Sequence, residues 1–258
     1  MLKGLYTAYT GLKNEQNRMD IMTNNLANAT TVGFKKEGST SQSFDTVLTY
    51  KLKDASVGLR TAENIGVNTP GVKIGENYTD YTQGSFRITD NTFDLALAGD
   101  GFFAVEFTNK ADEVSTKYTR AGNFTLNSQG YLVTNDGDYV LDVNNQRIRL
   151  NPLLGASVGS DGTITQNGTT VAQIQIADFE DYDYLERYGE TYFQPIEGAE
   201  LTSGTAEVNS GCLEMANVQV VSEMVNMISI TRQYESNQKI LQTYDRSLDI
   251  AVNNLGKL

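Results

Sequence analysis

Apolar residues recur every seven positions at both ends of this chain. Because a strict seven-residue repeat keeps one narrow stripe of a helix facing a partner helix, such a repeat is typical of coiled coils. The N-terminal stripe consists of Leu5, Leu12, Met19 and Leu26. The C-terminal stripe consists of Leu213, Val220, Met227, Tyr234, Leu241, Leu248 and Leu255. We therefore predict one helix over residues 2–28 and another from Leu213 to about Leu255, which pair with each other and with neighbouring copies.

A second set of residues lies four positions after the members of the C-terminal stripe, and it becomes polar along the helix. Met224 belongs to its apolar start, whereas Gln238 and Asp245 stand in its polar part. The apolar surface of the helix is therefore narrow over its polar part. We expect several helices to pack around it and do not expect a single two-stranded coiled coil. The repeats also allow a plainer interpretation, in which two helices cover a β core in an ordinary globular domain.

The middle of the chain consists of short β-rich segments separated by turn signals. Asp100-Gly101, Asp136-Gly137 and Asn167-Gly168 are three of these signals. Asn-Gly and Asp-Gly between alternating segments indicate hairpins, and their density favours antiparallel strands over alternating βαβ units. The predicted fold class is α+β, with long N- and C-terminal helices that form a coiled-coil-like axial core and with a central antiparallel β domain.

These patterns divide the chain into four predicted parts. They are an N-terminal core helix with its turn (1–35), a connecting segment (36–75), the central β domain (76–200), and a return segment with the long C-terminal core helix (201–258). Within the connecting segment, Phe44, Val47, Leu48 and Leu52 predict a short helical turn.

The negative charge of the chain is concentrated in its middle. The net charge is −12. Residues 1–36 carry five Lys/Arg and two Asp/Glu, and residues 213–258 carry four and five, which leaves eleven and twenty-five for the middle. An acidic middle repels phosphate backbones, so we expect no nucleic acid partner. The nearly balanced ends suit helices that pack side by side.

The residue types argue against an enzyme. The chain has no histidine and one cysteine, Cys212. Nucleophiles activated by histidine and metal sites with histidine ligands are therefore excluded, and no internal disulfide can form. We expect no cofactor and no small-molecule substrate, and we interpret Cys212 as a small residue at a junction.

Two local patterns resemble sites but fit them poorly. Gly99-Asp100-Gly101-Phe102-Phe103-Ala104 matches G-x-G-x-x-A, yet a strand-like segment follows it, whereas a dinucleotide site needs a helix there. We therefore predict a tight turn between strands. Acidic clusters could supply paired carboxylates or calcium ligands, but they lack the calcium-loop spacing and are expected as solvated surface. Their members are Asp136, Asp138 and Asp142 in one cluster and Asp178, Glu180, Asp181 and Asp183 in the other.

Several motifs in order resemble those of bacterial flagellar rod and hook proteins. The N-terminal motif comprises Thr23 to Asn28 and Gly33 to Lys35; the central motifs comprise Asp94 to Phe103, Tyr118 to Phe124 and Gly130 to Val133; the C-terminal motif comprises Leu213 to Val218, Glu223 to Val225 and Arg232 to Glu235. Cys212 and Ala216 depart from the usual pattern. Chain length favours the rod members, distal or proximal, over the longer hook protein.

The resemblance implies a structural subunit of the flagellar basal body, with its terminal helices in the axial core and its β domain outside. It also implies export through the flagellar type III apparatus and polymerisation outside the cytoplasmic membrane. No cleavable signal peptide is apparent in the sequence. The implied partners are further copies of the chain, other rod and hook proteins, and the export apparatus.

We predict an assembly interface made of both stripes together with a turn out of the helical core. Asn24, Asn25, Asn28, Gly33 and Phe34 are expected to set this turn, because Asn side chains satisfy backbone groups at helix ends and glycine permits backbone angles that other residues resist. A competing hypothesis is a secreted β-rich carbohydrate-binding or adhesive fibre protein that its terminal helices oligomerise. An enzyme ranks third.

Overall fold

A computed structural model describes residues 2–52, 62–109 and 113–255 of the chain. The chain divides into two compact units. The first unit combines Met1–Leu26, Glu37–Asp80 and Gln219–Leu258, and the second combines Ala27–Lys36 and Tyr81–Val218. Each unit is thus assembled from segments that are far apart in the sequence.

Helix α1 of the first unit spans Leu2–Ala27 and confirms the predicted N-terminal helix. One face of α1 packs on the β segments of this unit. Thr10 Oγ1 accepts a hydrogen bond from the Val72 backbone N–H at 3.4 Å, and Asn14 Nδ2 donates to Ser41 Oγ at 3.0 Å. These bonds fix the rotation of α1 about its own axis.

Helix α2 spans Val220–Ile250 and continues into a π-helical turn, Ala251–Leu255. The C-terminal helix is confirmed, but the prediction that it begins at Leu213 is wrong. Leu213 lies in a strand whose backbone groups pair with the segment around Arg87, so they are not available to a helix. Neither helix of the described segments is apolar over a length sufficient to span a bilayer.

Two strand pairs complete the first unit. Strand β1 (Lys36–Ser43) pairs with β4 (Val72–Asp80), and β2 (Val47–Leu52) pairs with β3 (Ala62–Asn68) in antiparallel register. The helical turn predicted around Phe44, Val47 and Leu48 is therefore wrong. Residues 47–50 are rich in β-branched and aromatic types, which fit a pleated strand better than a helix.

The second unit is an antiparallel β domain, as predicted. Its largest sheet runs in the order β16-β17-β8-β7-β11-β10-β9, with β15 beside β7 and β18 beside β15. The strands are β5 (Phe86–Ile88), β6 (Leu95–Ala98), β7 (Phe102–Thr108), β8 (Val114–Thr119), β9 (Thr125–Leu126), β10 (Leu132–Val133), β11 (Tyr139–Val140), β12 (Ala156–Val158), β13 (Thr163–Gln166), β14 (Thr169–Gln173), β15 (Ile176–Phe179), β16 (Leu185–Tyr188), β17 (Tyr192–Pro195), β18 (Leu201–Ser203), β19 (Glu207–Ser210) and β20 (Cys212–Glu214).

Strand β7 separates two hydrophobic clusters. Successive side chains of a strand point to opposite faces of the sheet. Phe103 accordingly belongs to one cluster, where its ring meets Phe124 edge-on at 5.2 Å, and Phe102 belongs to the other, where its ring lies 5.3 Å from Phe193. The glycine motif before β7 is a tight turn that leads into a strand, as predicted, with Gly101 at φ 138°.

Candidate assembly interface

Helices α1 and α2 approach each other in antiparallel register within the first unit. Gly4 faces the Tyr244 ring, and a Cβ added at Gly4 would collide with it. One heptad further along α1, Gly11 faces the Asn237 amide, and a Cβ at Gly11 would lie 3.1 Å from Asn237 Nδ2. Because a step of seven residues up α1 matches seven residues down α2, the contact keeps a constant register. Glycine destabilises an isolated helix. In this structure, however, the missing side chains of Gly4 and Gly11 allow Tyr244 and Asn237 of α2 to lie close to α1.

The covered side of α2 has an alternating spacing of four and three residues. Met227, Tyr234, Leu241 and Leu248 of the predicted stripe are all half-buried, and the interleaved residues are Glu223, Ile230, Asn237 and Tyr244. Glu223 and Ile230 are buried, and the other two are half-buried. The second set therefore lies three positions after the stripe. Of the residues four positions after the stripe, Met224, Gln238 and Asp245 are exposed in the single chain and Thr231 is half-buried.

The remaining stripe residues occupy different environments. Leu5, Leu12, Met19 and Leu26 are half-buried on α1. Leu213 is buried in β20, and Val220, the first residue of α2, is exposed. Leu255 is the last residue of the π-helical turn, and its side chain lies outside the described part.

Asn25 links α1 to the start of β1 within the first unit. Its side chain is 1% exposed. Its amide Nδ2 donates to the Glu37 carbonyl at 2.7 Å, and its Oδ1 accepts from the Glu37 backbone N–H at 2.9 Å. The Asn25 side chain thus bonds both the N–H and the carbonyl of Glu37, as the backbone of a neighbouring β-strand would. Its neighbour Asn24 is exposed.

In the second unit, Asn28, Gly33 and Phe34 form the turn that follows α1. Asn28 is buried and its Oδ1 accepts from the Thr31 hydroxyl at 3.1 Å. Gly33 has φ 69°, and a Cβ there would collide with the Ala121 backbone. Phe34 is fully buried, with the Arg187 guanidinium 4.3 Å from its ring centre. All three residues therefore belong to a packed turn.

An ion cluster, which the sequence analysis missed, ties this turn to β20 in the second unit. Glu214 accepts from Lys35 Nζ at 2.7 Å and from Arg120 Nη1 at 3.4 Å, and it also accepts from the Gly84 backbone N–H at 2.9 Å. Glu214 and Lys35 are 1% exposed and Arg120 is 3% exposed. Two buried cations therefore share one buried carboxylate. No spacing in the sequence pairs these residues, which lie far apart in the chain, although each of them stands inside one of the motifs quoted above.

A second polar network lies at Tyr192 in the β domain. The Tyr192 hydroxyl donates to Asp138 Oδ2 at 2.7 Å and lies 3.2 Å from Thr134 Oγ1. Burial raises the pKa of Asp138, the bond from Tyr192 lowers this pKa in part, and the charge of Asp136 raises it. Burial also raises the pKa of Tyr192. No group of three or more His, Cys, Asp or Glu in the described ranges is placed to hold a metal ion.

Three family models match the chain in order. A flagella basal body rod protein model matches residues 5–35, a flagellar hook protein FlgE/F/G D1 domain model matches 96–176, and a flagellar basal body rod FlgEFG protein C-terminal model matches 209–255. The first match contains α1 and its turn, the second lies in the β domain, and the third contains β20 and α2.

Curated relatives match over nearly the whole chain. The flagellar basal-body rod protein FlgG of Bacillus subtilis is 35% identical, over 98% of this chain and 99% of the relative. The flagellar hook-basal body complex protein FlhO of the same organism is 32% identical over 100% of both, and FlgF of Caulobacter vibrioides is 32% identical over 97% and 98%.

These matches confirm the resemblance found in the sequence, and they give no support to the adhesive-fibre alternative. Along the chain, the three matched segments contain the first helix, part of the β domain and the last helix, in this order. Since the identity exceeds 30% over almost the full length of both chains, the protein belongs to the family of flagellar basal-body rod proteins.

Proposed function

We propose that this chain is a structural subunit of the flagellar rod, and that its copies polymerise through the terminal helices into a hollow shaft that transmits torque. In this proposal the seam between α1 and α2 is the coiled-coil-like axial element, and the chain catalyses no reaction. The proposed partners are other copies, other rod and hook proteins, and the type III export apparatus that delivers the chain outside the cytoplasmic membrane. The names of the relatives support the rod assignment.

The observation that carries the proposal is the exposed apolar surface at the start of α2. Val221 is 76% exposed, Val225 61% and Ile228 55%. Residues at i, i+4 and i+7 share one face of a helix, so these three side chains form a continuous ridge. We call these three residues the α2 ridge. Contiguous exposed apolar surface of this kind marks an interaction site.

The predicted interface residues have two roles in this proposal. The half-buried stripes of α1 and α2, from Leu5 to Leu26 and from Met227 to Leu248, hold the two helices of one subunit together. Their outer faces, which a single chain leaves uncovered, meet neighbouring subunits. The packed turn at Gly33 and Phe34 follows α1, and the chain then returns to the first unit through β1.

The experiment compares the full chain with a chain that lacks residues 225–258. Each is produced in cells from which the native gene has been deleted, and swimming and basal-body structure are recorded, the latter by electron microscopy with the chain labelled. We expect the full chain to restore swimming and to appear in the rod, and the truncated chain to do neither. Normal swimming in the deletion strain, or with the truncated chain, would overturn the proposal.

A further inference from the structure

A second apolar surface of the first unit is concave. It is a groove of about 590 Å³ between the start of α1 and the hairpin of β2 and β3. We call it the α1–hairpin groove, and its lining residues are Lys3, Tyr6, Val47, Leu48, Thr49, Tyr50, Asn68 and Pro70. Tyr6 is 63% exposed, Leu48 54% and Tyr50 56%. The described part of a single chain thus leaves its aromatic and aliphatic walls open to solvent.

The groove and the α2 ridge lie at opposite ends of the helix pair. Lys3 and Tyr6 of the groove flank Gly4, which faces Tyr244 of α2. Val225 of the ridge precedes Tyr244 by nineteen residues, which is about 28 Å along a helix at 1.5 Å per residue. The ridge therefore cannot fill the groove of its own chain.

One surface is a helical ridge and the other is a concave groove. The α2 ridge presents aliphatic side chains at i, i+4 and i+7, which is the pattern with which a helix enters an apolar groove. On the other side, Leu48 and Tyr50 lie two residues apart in β2, so they point to the same face of the hairpin. Tyr6 of α1 also lines the groove.

The charges at both surfaces favour a second copy of this chain as the occupant. Two chains that each carry a net charge of −12 repel each other wherever their carboxylates meet. Among the residues that the structure describes, however, the groove is lined by one cation, Lys3, and by no carboxylate. Residues 220–229 of α2 contain one carboxylate, Glu223, and it is buried. These two surfaces are therefore places where copies can meet without charge repulsion.

We infer that the α2 ridge of one copy docks in the α1–hairpin groove of the next copy. This inference rests on the proposed function and names the contact by which its copies join. Because the two surfaces differ and lie at opposite ends of the helix pair, the contact is head-to-tail. A head-to-tail contact that does not close into a ring extends into a filament.

Engineered cysteines test the contact directly. In the full chain with Cys212→Ser, we place Leu48→Cys in the groove and Val225→Cys in the ridge, and we add a mild oxidant to assembling protein. We expect disulfide-linked dimers, trimers and longer chains on a non-reducing gel, because a disulfide needs Cα atoms about 4.4–6.8 Å apart. Each single-cysteine variant can give only dimers.

The matched control replaces Val225→Cys with Gln238→Cys. Gln238 is an exposed residue of the same helix, thirteen positions away or about 20 Å. We expect this pair to give at least about tenfold less of the longer species, because the two cysteines lie outside disulfide range in the docked copies. Equal ladders from both pairs would show random collision and would overturn the inference.

A charge exchange provides a test that needs no cross-link. Val225→Glu places a carboxylate in the docked ridge, so we expect the concentration at half-assembly to rise by roughly 30-fold or more. Adding Leu48→Lys to the same chain places a cation opposite it, and we expect most of the loss to be recovered. An unchanged circular dichroism spectrum of the dilute variants excludes misfolding as the cause.

The outcomes separate this contact from the proposed function. If the unmodified chain assembles and supports swimming but the L48C/V225C pair gives no ladder, the head-to-tail contact is overturned and the rod assignment stands. If the chain never assembles and cells swim without it, both are overturned. If Val225→Glu abolishes binding to lipid vesicles and leaves self-assembly unchanged, the ridge serves a membrane and the inference is wrong.

Discussion

Replacing Glu214 by Gln tests whether the ion cluster holds the β domain together. The carboxylate lies in the interior, where both of its oxygens accept hydrogen bonds from Lys35, Arg120 and the Gly84 backbone N–H. Glutamine has nearly the same shape but only one acceptor oxygen. Its NH₂ group would face a donor at one of these positions, and the charge of the carboxylate that Lys35 and Arg120 share would be lost.

The expected loss follows from the burial of the three side chains. Removing one partner of a buried ion pair typically costs about 3–5 kcal/mol, because an uncompensated charge remains in the interior. Arg120 should make the loss of stability larger. Its Nε has no hydrogen-bond partner among the described residues, and its Nη1 lies 3.4 Å from the Glu214 carboxylate. We therefore expect Glu214→Gln to lower the free energy of unfolding by about 3–5 kcal/mol.

Urea denaturation measures this loss without changing the ionic strength. The fourteen tyrosines, in a chain without tryptophan, provide the fluorescence signal. The matched control is Glu106→Gln, which removes the same charge from a pair with Arg147; the Glu106 side chain is 13% exposed and the Arg147 side chain 45%. We expect the control to cost about 1 kcal/mol or less, because solvent screens that pair. Equal losses for the two variants would refute the argument from burial.

Three further variants test other parts of the site. Gly33→Ala should cost at least about 2 kcal/mol in urea denaturation, since φ is 69° and the new Cβ meets the Ala121 backbone; an unchanged midpoint would contradict this. Asn25→Ala should cost about 1–3 kcal/mol, because it leaves two backbone groups without their partner; full stability would show that water replaces the amide. Asp138→Asn should raise the thermal midpoint at pH 7 but not near pH 3, because the raised pKa of Asp138 means that folding disfavours its ionised form; a gain at both pH values would exclude this titration as the cause.

The helices could be predicted from the sequence because their signal is repetitive. The stripe from Met227 to Leu248 identifies the covered side of α2, and every one of its members is half-buried. The start of α2 could not be placed, because Leu213 keeps the same repeat while its backbone belongs to a strand. Long-range pairing with β5 overrides the local pattern there.

The ion cluster shows the opposite limit of sequence analysis. Lys35, Arg120 and Glu214 are ordinary surface residue types, and no local pattern marks them as buried. Their burial depends on the meeting of three distant segments in the folded β domain. Gly33 illustrates an intermediate case, since glycine suggests an unusual backbone angle but does not reveal which backbone lies against it.

The Lys35–Glu214 pair also constrains when the β domain can mature. The two residues are 179 positions apart, so the cation is synthesised long before the carboxylate that neutralises it. A contact of such long range also delays folding. The β domain can therefore form this buried pair only after synthesis has reached Glu214.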